Sequence, residues 1–271
     1  MPPQTSAAPV APHADAAPAD ALALEAVSVR FGGVQALDGV SLAVPAGSIT
    51  GLIGRNGAGK STSIRLLAGL LRPDAGQVRV LGMGFADGAT EIKQSTGWLL
   101  SEPALFAYLT PYETLRYVAE ACGVPDAEGE RRTRDLLALF DLEGARDRLV
   151  DGFSTGMQKR LGLAAAMVHA PRLLVLDEPF ETLDPLIVRK LKRLLVRYAA
   201  DGGSVLLSSH LIDAVDEICD RIAILEKGRV VVAGPTQQAK AGIAGKLGGG
   251  TLEELYASVV QDAADVDLVW L

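Results

Sequence analysis

The sequence is poor in cysteine and in aromatic residues. Among its 271 residues are two cysteines, Cys122 and Cys219, which lie far apart and lack the spacing of metal ligands. We therefore expect neither a disulfide framework nor a metal cluster, and interpret both as buried thiols in a reducing compartment. Aromatic residues make up only 5% of the chain, so alanine, valine and leucine carry the apolar content of the core.

Long apolar runs are also missing. No segment reaches the roughly 18 apolar residues of a membrane-spanning helix. The longest apolar stretch, residues 161–176, is interrupted by His169, Pro171 and Arg172. The N-terminus lacks a basic segment followed by an apolar one, so no secretory signal is predicted. We expect the chain to stay in the cytoplasm and to act on a membrane only through another protein.

The chain has fewer basic than acidic residues. The 26 Lys and Arg residues are outnumbered by 33 Asp and Glu residues, which gives a formal net charge of −7 at pH 7. Non-specific binding to nucleic acid needs a basic surface that displaces counterions. A polybasic membrane anchor needs clustered Lys and Arg as well. The composition argues against both, and we expect no nucleic-acid partner.

The chain divides into three parts by composition. Residues 1–21 are mostly Ala, Pro, Asp and Ser, and we predict a disordered tail. Residues 22–235 carry the strand and helix patterns of one folded domain. Residues 236–271 form an extension in which glycines 248–250 are interpreted as a flexible joint before a short helix. The apolar face of that helix is expected to pack on its own domain.

Strand and helix patterns within the domain predict an α/β fold. Short antiparallel strands are predicted over residues 22–44, and a helical segment is predicted over about residues 100–170. The sequence Thr110-Pro111-Tyr112-Glu113 is typical of a capped helix start. Further strands are predicted at 48–53, 173–176, 205–207, 222–225 and 229–232, with a helix at 61–71. A helical insert therefore interrupts an α/β core.

A phosphate-binding loop follows the strand at 48–53. Its residues are Gly54, Arg55, Asn56, Gly57, Ala58, Gly59, Lys60 and Ser61, and they match the P-loop pattern. In such a loop successive backbone N–H groups and the start of the next helix face an anion. We predict that Lys60 reaches the β- and γ-phosphates and that the Ser61 hydroxyl binds Mg²⁺. Thr62, directly after the loop, is included among the nucleotide-binding residues.

An acidic pair ends the apolar strand at 173–176. Asp177 and Glu178 directly follow four apolar residues, which places them at the edge of a sheet where α/β folds bind ligands. Asp177 suits the outer shell of the Mg²⁺, and Glu178 suits a base that orients and deprotonates the attacking water. Acidic residues also end strands merely because they are solvated there. The presence of the P-loop favours the functional interpretation of Asp177 and Glu178 over simple solvation.

These two sites, together with Ser154-Thr155-Gly156-Met157-Gln158, resemble the nucleotide-binding subunit of an ATP-binding-cassette (ABC) transporter over about residues 22–235. The resemblance implies a P-loop NTPase core with an antiparallel β subdomain and an inserted α-helical subdomain. It also implies that Ser154, Thr155, Gly156 and Met157 form the signature motif. Two subunits would sandwich two ATP molecules, each between one P-loop and the signature of the partner. Thr155 and Met157 resemble variants common in export-type ATPases.

Other positions are carried over by the same resemblance. Phe31 occupies the place of an aromatic residue that stacks on adenine, with a core phenylalanine as the alternative. His210, after Ser208-Ser209, matches a switch histidine that contacts the γ-phosphate, so Lys60, Glu178 and His210 are the predicted catalytic residues. Asp184 matches the loop that links the sites of the two subunits.

One position departs from the family pattern. Ser101 stands where the family usually has a glutamine that touches Mg²⁺ and signals to the membrane partner. A serine is too short for the same contact without a bridging water. Two hypotheses remain open: Ser101 acts with a water, or Glu102 takes over the contact.

The resemblance therefore implies an ATPase that uses ATP and Mg²⁺, pairs with a second ABC ATPase subunit and drives export through a separate membrane permease. It would lie at the inner face of the cell membrane through that permease. A soluble ABC ATPase and a nucleotide-sensing regulatory module are the alternatives. Neither the transported substrate nor the choice between a homodimer and a heterodimer follows from the sequence.

Overall fold

The computed structural model describes residues 20–247 and 250–260. Most of the predicted tail, part of the glycine joint and residues 261–271 lie outside the described residues.

Strands and helices alternate along most of the described chain. In chain order they are β1 (Asp20–Phe31), β2 (Val34–Pro45), β3 (Ile49–Ile53), α1 (Lys60–Leu67), β4 (Ala75–Val80), α2 (Phe85–Ser95), β5 (Thr96–Leu99), α3 (Pro111–Ala121), α4 (Asp126–Leu139), α5 (Thr155–Met167), β6 (Leu173–Asp177), α6 (Pro185–Ala200), β7 (Ser204–Ser209), α7 (Ile212–Ile218), β8 (Arg221–Glu226), β9 (Arg229–Pro235), α8 (Thr236–Leu247) and α9 (Leu252–Val259). Two short 3-10 helices, Glu143–Ala145 and Val150–Gly152, precede α5.

The smaller sheet is antiparallel, with the strand order β2-β1-β4. β1 and β2 are joined by Gly32 and Gly33, whose φ angles of 50° and 92° suit glycine at a tight turn. Both strands are twelve residues long, so they are longer than the short strands that the sequence predicts. β1 begins at Asp20, two residues before the predicted start of the domain.

The larger sheet has the order β5-β6-β7-β3-β8-β9 and is parallel except for the β8–β9 pair. Every residue of β3, β6 and β7 is buried, as expected for strands covered on both faces. The three strands are neighbours, so their carboxyl ends meet at one edge of the sheet. Ile53 is aligned with Ser209 and Asp177 with Ser208, and both pairs lie at that edge.

Two hydrophobic cores cover the two faces of this sheet. Successive residues of β6 alternate between them, since Leu173 and Val175 belong to one core and Leu174 and Leu176 to the other. The first core also holds the apolar faces of α1 and the antiparallel sheet. The second holds those of α3, α4, α5, α6, α7 and α9. Both faces of the sheet are therefore covered. A ligand can reach the sheet at its loop edge, where the carboxyl ends of β3, β6 and β7 meet.

The helical segment α3–α5 lies between β5 and β6, within the stretch predicted at residues 100–170. The Thr110 hydroxyl accepts the Glu113 N–H at 3.1 Å, and the Glu113 carboxylate accepts the Thr110 N–H at 2.8 Å. This reciprocal pair confirms the predicted helix start at Pro111. The apolar face of α4 is buried, because Leu137 and the C-cap residue Phe140 are each only 1% exposed.

The described part of the C-terminal extension packs on its own domain. α9 starts with a capping box between Thr251 and Glu254. Leu252 and Leu255 are buried in the core that also holds α7. This confirms the expectation that the helix buries its face within the chain. α8, which precedes it, was not predicted from the sequence.

Two sequence-based expectations need correction. α1 ends at Leu67 instead of Leu71, because Gly69 takes a positive φ of 69° that ends the helix. Cys219 is buried as expected, but Cys122 is only partly buried. Both are free thiols. Among the described residues, no helix is long and apolar enough to cross a membrane.

Candidate functional site

The P-loop lies between β3 and α1 at the loop edge of the parallel sheet. Gly57 and Gly59 have φ angles of 82° and 112°, which L-residues rarely adopt. A Cβ atom at Gly59 would lie 2.9 Å from the Ala36 carbonyl oxygen, so only glycine fits there. The loop therefore curls closely enough for its N–H groups to surround a phosphate.

Contacts from two distant segments support the curl of the loop. The Ala58 carbonyl accepts the Gly228 N–H at 2.9 Å, and the Gly228 carbonyl accepts the Asp38 N–H at 2.8 Å. Gly228 lies in the β8–β9 turn and Asp38 lies in β2. Arg229 forms an ion pair with the Asp38 carboxylate. The P-loop is thus held by both sheets.

Lys60 is a buried cation at the start of α1. It is 5% exposed, and its ammonium donates to the Gly54 carbonyl at 2.7 Å. Its Nζ also lies 3.3 Å from Oε1 of Glu178, whose side chain is 12% exposed. That oxygen has no hydrogen-bond partner among the described residues. Lys60 and Glu178 are therefore held together by the attraction of their charges, without the geometry of a hydrogen bond. A carboxylate oxygen in this state is available to a ligand or a water.

Asp177 ends β6 as a carboxylate that is 2% exposed. It accepts hydrogen bonds from the hydroxyls of Ser101 and Ser208. The Ser208 oxygen in turn accepts the Glu178 N–H at 2.9 Å. Ser208 therefore orients both acidic residues at once. The sequence did not indicate this role, although the alignment of β6 with β7 creates it.

His210 follows β7 and turns toward Glu178. Its Nδ1 lies 3.0 Å from Oε2 of Glu178, which also accepts the His210 N–H at 3.2 Å. The same ring nitrogen lies 3.4 Å from Oε1 of Glu181. The imidazole is 42% exposed, so it can change partner when a ligand enters. Two of the three predicted catalytic side chains thus converge on the third, Glu178.

The P-loop, Lys60 and Glu178 line an open cleft of about 390 Å³. Asp177 and His210 lie beside it, in contact with the lining residues Ser101 and Glu178. Its lining consists of Ala36, Arg55, Asn56, Gly57, Gly59, Lys60, Ser61, Thr62, Ser101, Glu178 and Glu181. The cleft therefore collects most of the predicted nucleotide-binding residues, and Glu181 is an additional acidic residue that the sequence left without a role.

Donor groups in and beside this cleft fit Mg²⁺. The buried Asp177 carboxylate, the Ser61 hydroxyl and the Ser101 hydroxyl are hard oxygen ligands of the type that Mg²⁺ prefers. Ser101 bonds directly to Asp177 and lines the cleft, whereas Glu102 is not among the described residues that line it. The geometry therefore favours Ser101 over Glu102 as the residue that acts beside Asp177, the predicted metal ligand.

The loop that leaves β6 has an unusual backbone. Glu178 and Thr182 both have positive φ angles, 47° and 62°, without being glycine. Such angles cost free energy and persist only when the surroundings hold them. At the end of this loop Asp184 caps α6, with its carboxylate accepting the N–H groups of Leu186 at 3.0 Å and Ile187 at 3.1 Å.

The start of α5 is exposed. Ser154 is its N-cap and accepts the Met157 N–H at 3.3 Å, which leaves other N–H groups of the first turn without an intrahelical partner. Ser154 and Thr155 are exposed, and Gly156 and Met157 are partly buried. In the described part of the chain, the cleft lining includes none of these four residues.

A comparison with protein families decides the identity. The family profile described as ABC transporter matches residues 37–181, more than half of the chain. The chain belongs to the ABC transporter ATP-binding family.

Individual relatives support this family assignment. The chain is 38% identical over 213 residues to the daunorubicin/doxorubicin resistance ATP-binding protein DrrA of Streptomyces peucetius, covering 79% of this chain and 64% of DrrA. It is 33% identical over 211 residues to the bacitracin transport ATP-binding protein BcrA of Bacillus licheniformis, covering 78% of this chain and 68% of BcrA. This chain thus spans about two thirds of the length of these relatives.

A solved structure described as the ATP-binding subunit of an ABC transporter superimposes with a TM-score of 0.82 at 34% identity, covering 88% of this chain and 98% of that one. The α/β class, with a P-loop core, an antiparallel sheet and an inserted helical segment, is therefore confirmed for this ABC protein.

One predicted nucleotide contact of the ABC protein lies apart from the others. Phe31 ends β1 with a side chain that is 47% exposed, so the alternative of a core phenylalanine is wrong. Among the described residues that line the cleft, Phe31 is not included. Its exposed ring leaves adenine stacking open as a prediction.

Proposed function

We propose that this ABC protein binds and hydrolyses ATP with Mg²⁺, works as a dimer and drives export of a substrate through a separate membrane permease. The observation that carries the proposal is the convergence of Lys60 and His210 on Glu178, beside Asp177, in a P-loop cleft. Hydrolysis of a phosphoanhydride needs a phosphate cradle, a positive charge and a base for water. This cleft offers all three.

Lys60 and the P-loop amides act on the phosphates. The loop residues 54–62 offer N–H groups, and Lys60 adds a charge that is already desolvated. In the absence of nucleotide, Glu178 partly neutralises that charge. When a phosphate arrives, Lys60 exchanges the carboxylate for the phosphate and Glu178 is released. Phe31 is proposed to stack on the adenine ring.

Glu178 then serves as the base for the attacking water. Its Oε1 has no hydrogen-bond partner among the described residues, so it can accept a proton once Lys60 has turned to the phosphate. The His210 ring contacts Oε2 of Glu178 and is proposed to contact the γ-phosphate when ATP binds. The backbone bond from Glu178 to Ser208 fixes the base against the end of β6. Positioning of water by such a group is worth about 10²–10⁴-fold in rate.

Ser61 and Asp177 are the proposed Mg²⁺ ligands, with Ser101 beside them. Bound Mg²⁺ supplies charge neutralisation for the phosphate oxygens. Asp177 is oriented by two serine hydroxyls, so its carboxylate is fixed before the metal binds.

The signature residues Ser154, Thr155, Gly156 and Met157 are proposed to meet the ATP of a second subunit, either a second copy or a paralogue. Exposed helix N–H groups and the positive end of the α5 dipole favour a γ-phosphate there. Asp184, at the start of α6, is proposed to link the two sites. Export is supported by relatives whose names refer to drug resistance and bacitracin transport.

Solution mass of the Glu178→Gln variant tests the proposal. The variant retains a side chain of the same shape but loses the base, so ATP should bind without turnover. We expect a monomer without nucleotide and a dimer of twice the mass with MgATP, together with loss of phosphate release.

Two controls sharpen this test. The wild type should hydrolyse ATP, and ADP should not dimerise the variant. A wild type without any ATPase activity would contradict the proposal in favour of a nucleotide sensor. A variant that binds MgATP but stays monomeric would contradict homodimerisation and direct the search to a paralogue.

A further inference from the structure

A buried lysine lies directly behind the acidic end of β6. Lys159 is 4% exposed and belongs to α5, just over one turn after the exposed Ser154. Its ammonium donates to the backbone carbonyl of Asp177 at 3.0 Å. This contact joins the helix that starts with the signature motif to the strand that ends with the proposed metal ligand.

Burial of a lysine in this way is costly unless the charge is balanced. Burial lowers the pKa of Lys159, and the nearby carboxylates of Glu181, Asp177 and Glu178 oppose that change. The acidic end of the sheet thus holds the ammonium inside the protein, and the ammonium offsets the repulsion among three carboxylates. A methionine at this position has a side chain of similar length without the positive charge, so the repulsion among the three carboxylates would not be offset.

A second contact joins α5 to the same loop. A Cβ atom added to Gly156 would lie 2.9 Å from the Thr182 carbonyl oxygen, so the first turn of α5 rests against the loop backbone. Thr182 is one of the two residues held at positive φ in that loop. α5 therefore contacts the chain at Asp177 and again at Thr182, on both sides of Glu178.

The rest of α5 is fixed to the sheet. A Cβ atom at Gly97 in β5 would lie only 1.9 Å from the Ala166 carbonyl oxygen. One at Gly162 would lie 2.8 Å from the Leu99 side chain. A shift of α5 is consequently transmitted to β5 and β6, because close-packed interiors deform little.

We propose that Lys159 is a positioning residue that ties the signature helix to the catalytic end of β6 in its own chain. Contact of the partner's ATP with Ser154 is then transmitted through Lys159 to Asp177 and Glu178. The inference rests on the proposed ATPase function, and it assigns a role to a residue outside the cleft.

Substitution of Lys159 has a matched control on the same helix. Arg160 is the next cation of α5, and it donates to the carbonyls of Phe140 and Asp141 in the helical segment. Lys159→Met and Arg160→Met each remove a cation that bonds to backbone carbonyls. Only the first removes a bond to the catalytic strand.

Steady-state kinetics should separate the two variants. We expect Lys159→Met to lower kcat about tenfold with little change in KM for ATP, as for loss of a charged hydrogen bond. Lys159→Gln, which keeps a donor, should recover part of the rate. Arg160→Met should keep kcat near that of the wild type. Equal losses of kcat in Lys159→Met and Arg160→Met would overturn the proposal, as would an unchanged kcat in Lys159→Met.

A binding measurement tests the inference without hydrolysis. With a fluorescent ATP analogue, Lys159→Met should need several-fold more Mg²⁺ for half-maximal binding, while binding without Mg²⁺ stays unchanged. An unchanged Mg²⁺ requirement would overturn the link to Asp177. If Lys159→Met does not fold, Lys159→Gln supports the same titration. A wild type without ATPase activity would refute the proposed function alone, and the Mg²⁺ titration would still decide this inference.

Discussion

The cleft end of the parallel sheet and the start of α5 are built in opposite ways. In the cleft, Lys60 and Asp177 are almost wholly buried and Glu178 is mostly buried, and each contacts another side chain of the group. At the start of α5, Ser154 and Thr155 are exposed. The first site is prearranged within one chain. The second is an exposed helix start, as the proposed site shared between two subunits requires.

The largest effect should come from the cleft. Lys60→Met should reduce ATP hydrolysis by about 10²-fold or more, because a preorganised positive charge is removed from the phosphates. Phosphate release and binding of a fluorescent ATP analogue would measure both consequences. Lys192→Met is the control, since Lys192 pairs with Glu217 away from the cleft. Normal hydrolysis by Lys60→Met would refute the proposed role of the P-loop.

A smaller effect should come from the exposed site. Ser154→Ala should leave ATP binding by the monomer intact but weaken ATP-dependent dimerisation and hydrolysis. It should also lower stability by about 1 kcal/mol through loss of the cap. Thr110→Ala removes a cap from α3 in the same subdomain and is the matched control. If both variants lose stability and hydrolysis equally, Ser154 serves only as a cap and the contrast between the two regions disappears.

The contact between Ser101 and Asp177 allows a sharper comparison within the cleft. Ser101→Ala should reduce hydrolysis about fivefold, corresponding to a lost hydrogen bond of about 1 kcal/mol. Glu102→Ala should remain near the wild-type rate, because Glu102 is not among the described residues that line the cleft. Rates of phosphate release and of transport with the permease would be compared. If neither variant changes either rate, the hypothesis that Ser101 takes over the role of the family's glutamine is wrong.

The smallest effect concerns the far end of α5, where His169 is partly buried. Burial lowers the pKa of His169 below its usual 6.5, and the backbone carbonyl of Thr96 lies 3.3 Å from its Nε2. The unfolded chain therefore binds a proton near pH 6.5 that the folded chain does not, so stability is lost as pH falls below 6.5. Urea midpoints at pH 7.5 and 5.5 should differ less for His169→Gln than for the wild type. An equal difference would show that other groups cause the loss.

Local patterns explain what the sequence predicted. The P-loop, the capped start of α3 and the apolar strand before Asp177 each depend on residues within a few positions of one another. Lys159 and Ser208 were missed because their partners lie 18 and 31 positions away in the chain. Such contacts follow from the order of strands in the sheet, which one sequence does not reveal. The exposure of Phe31 likewise depends on where the antiparallel sheet ends.

The bonds from Ala58 to Gly228 and from Gly228 to Asp38 have a consequence for the order of folding. The P-loop owes part of its shape to a turn that is synthesised about 170 residues later. Contacts between segments so far apart form late, since a long loop must close first. A growing chain thus gains this support for its P-loop only after the β8–β9 hairpin has emerged from the ribosome.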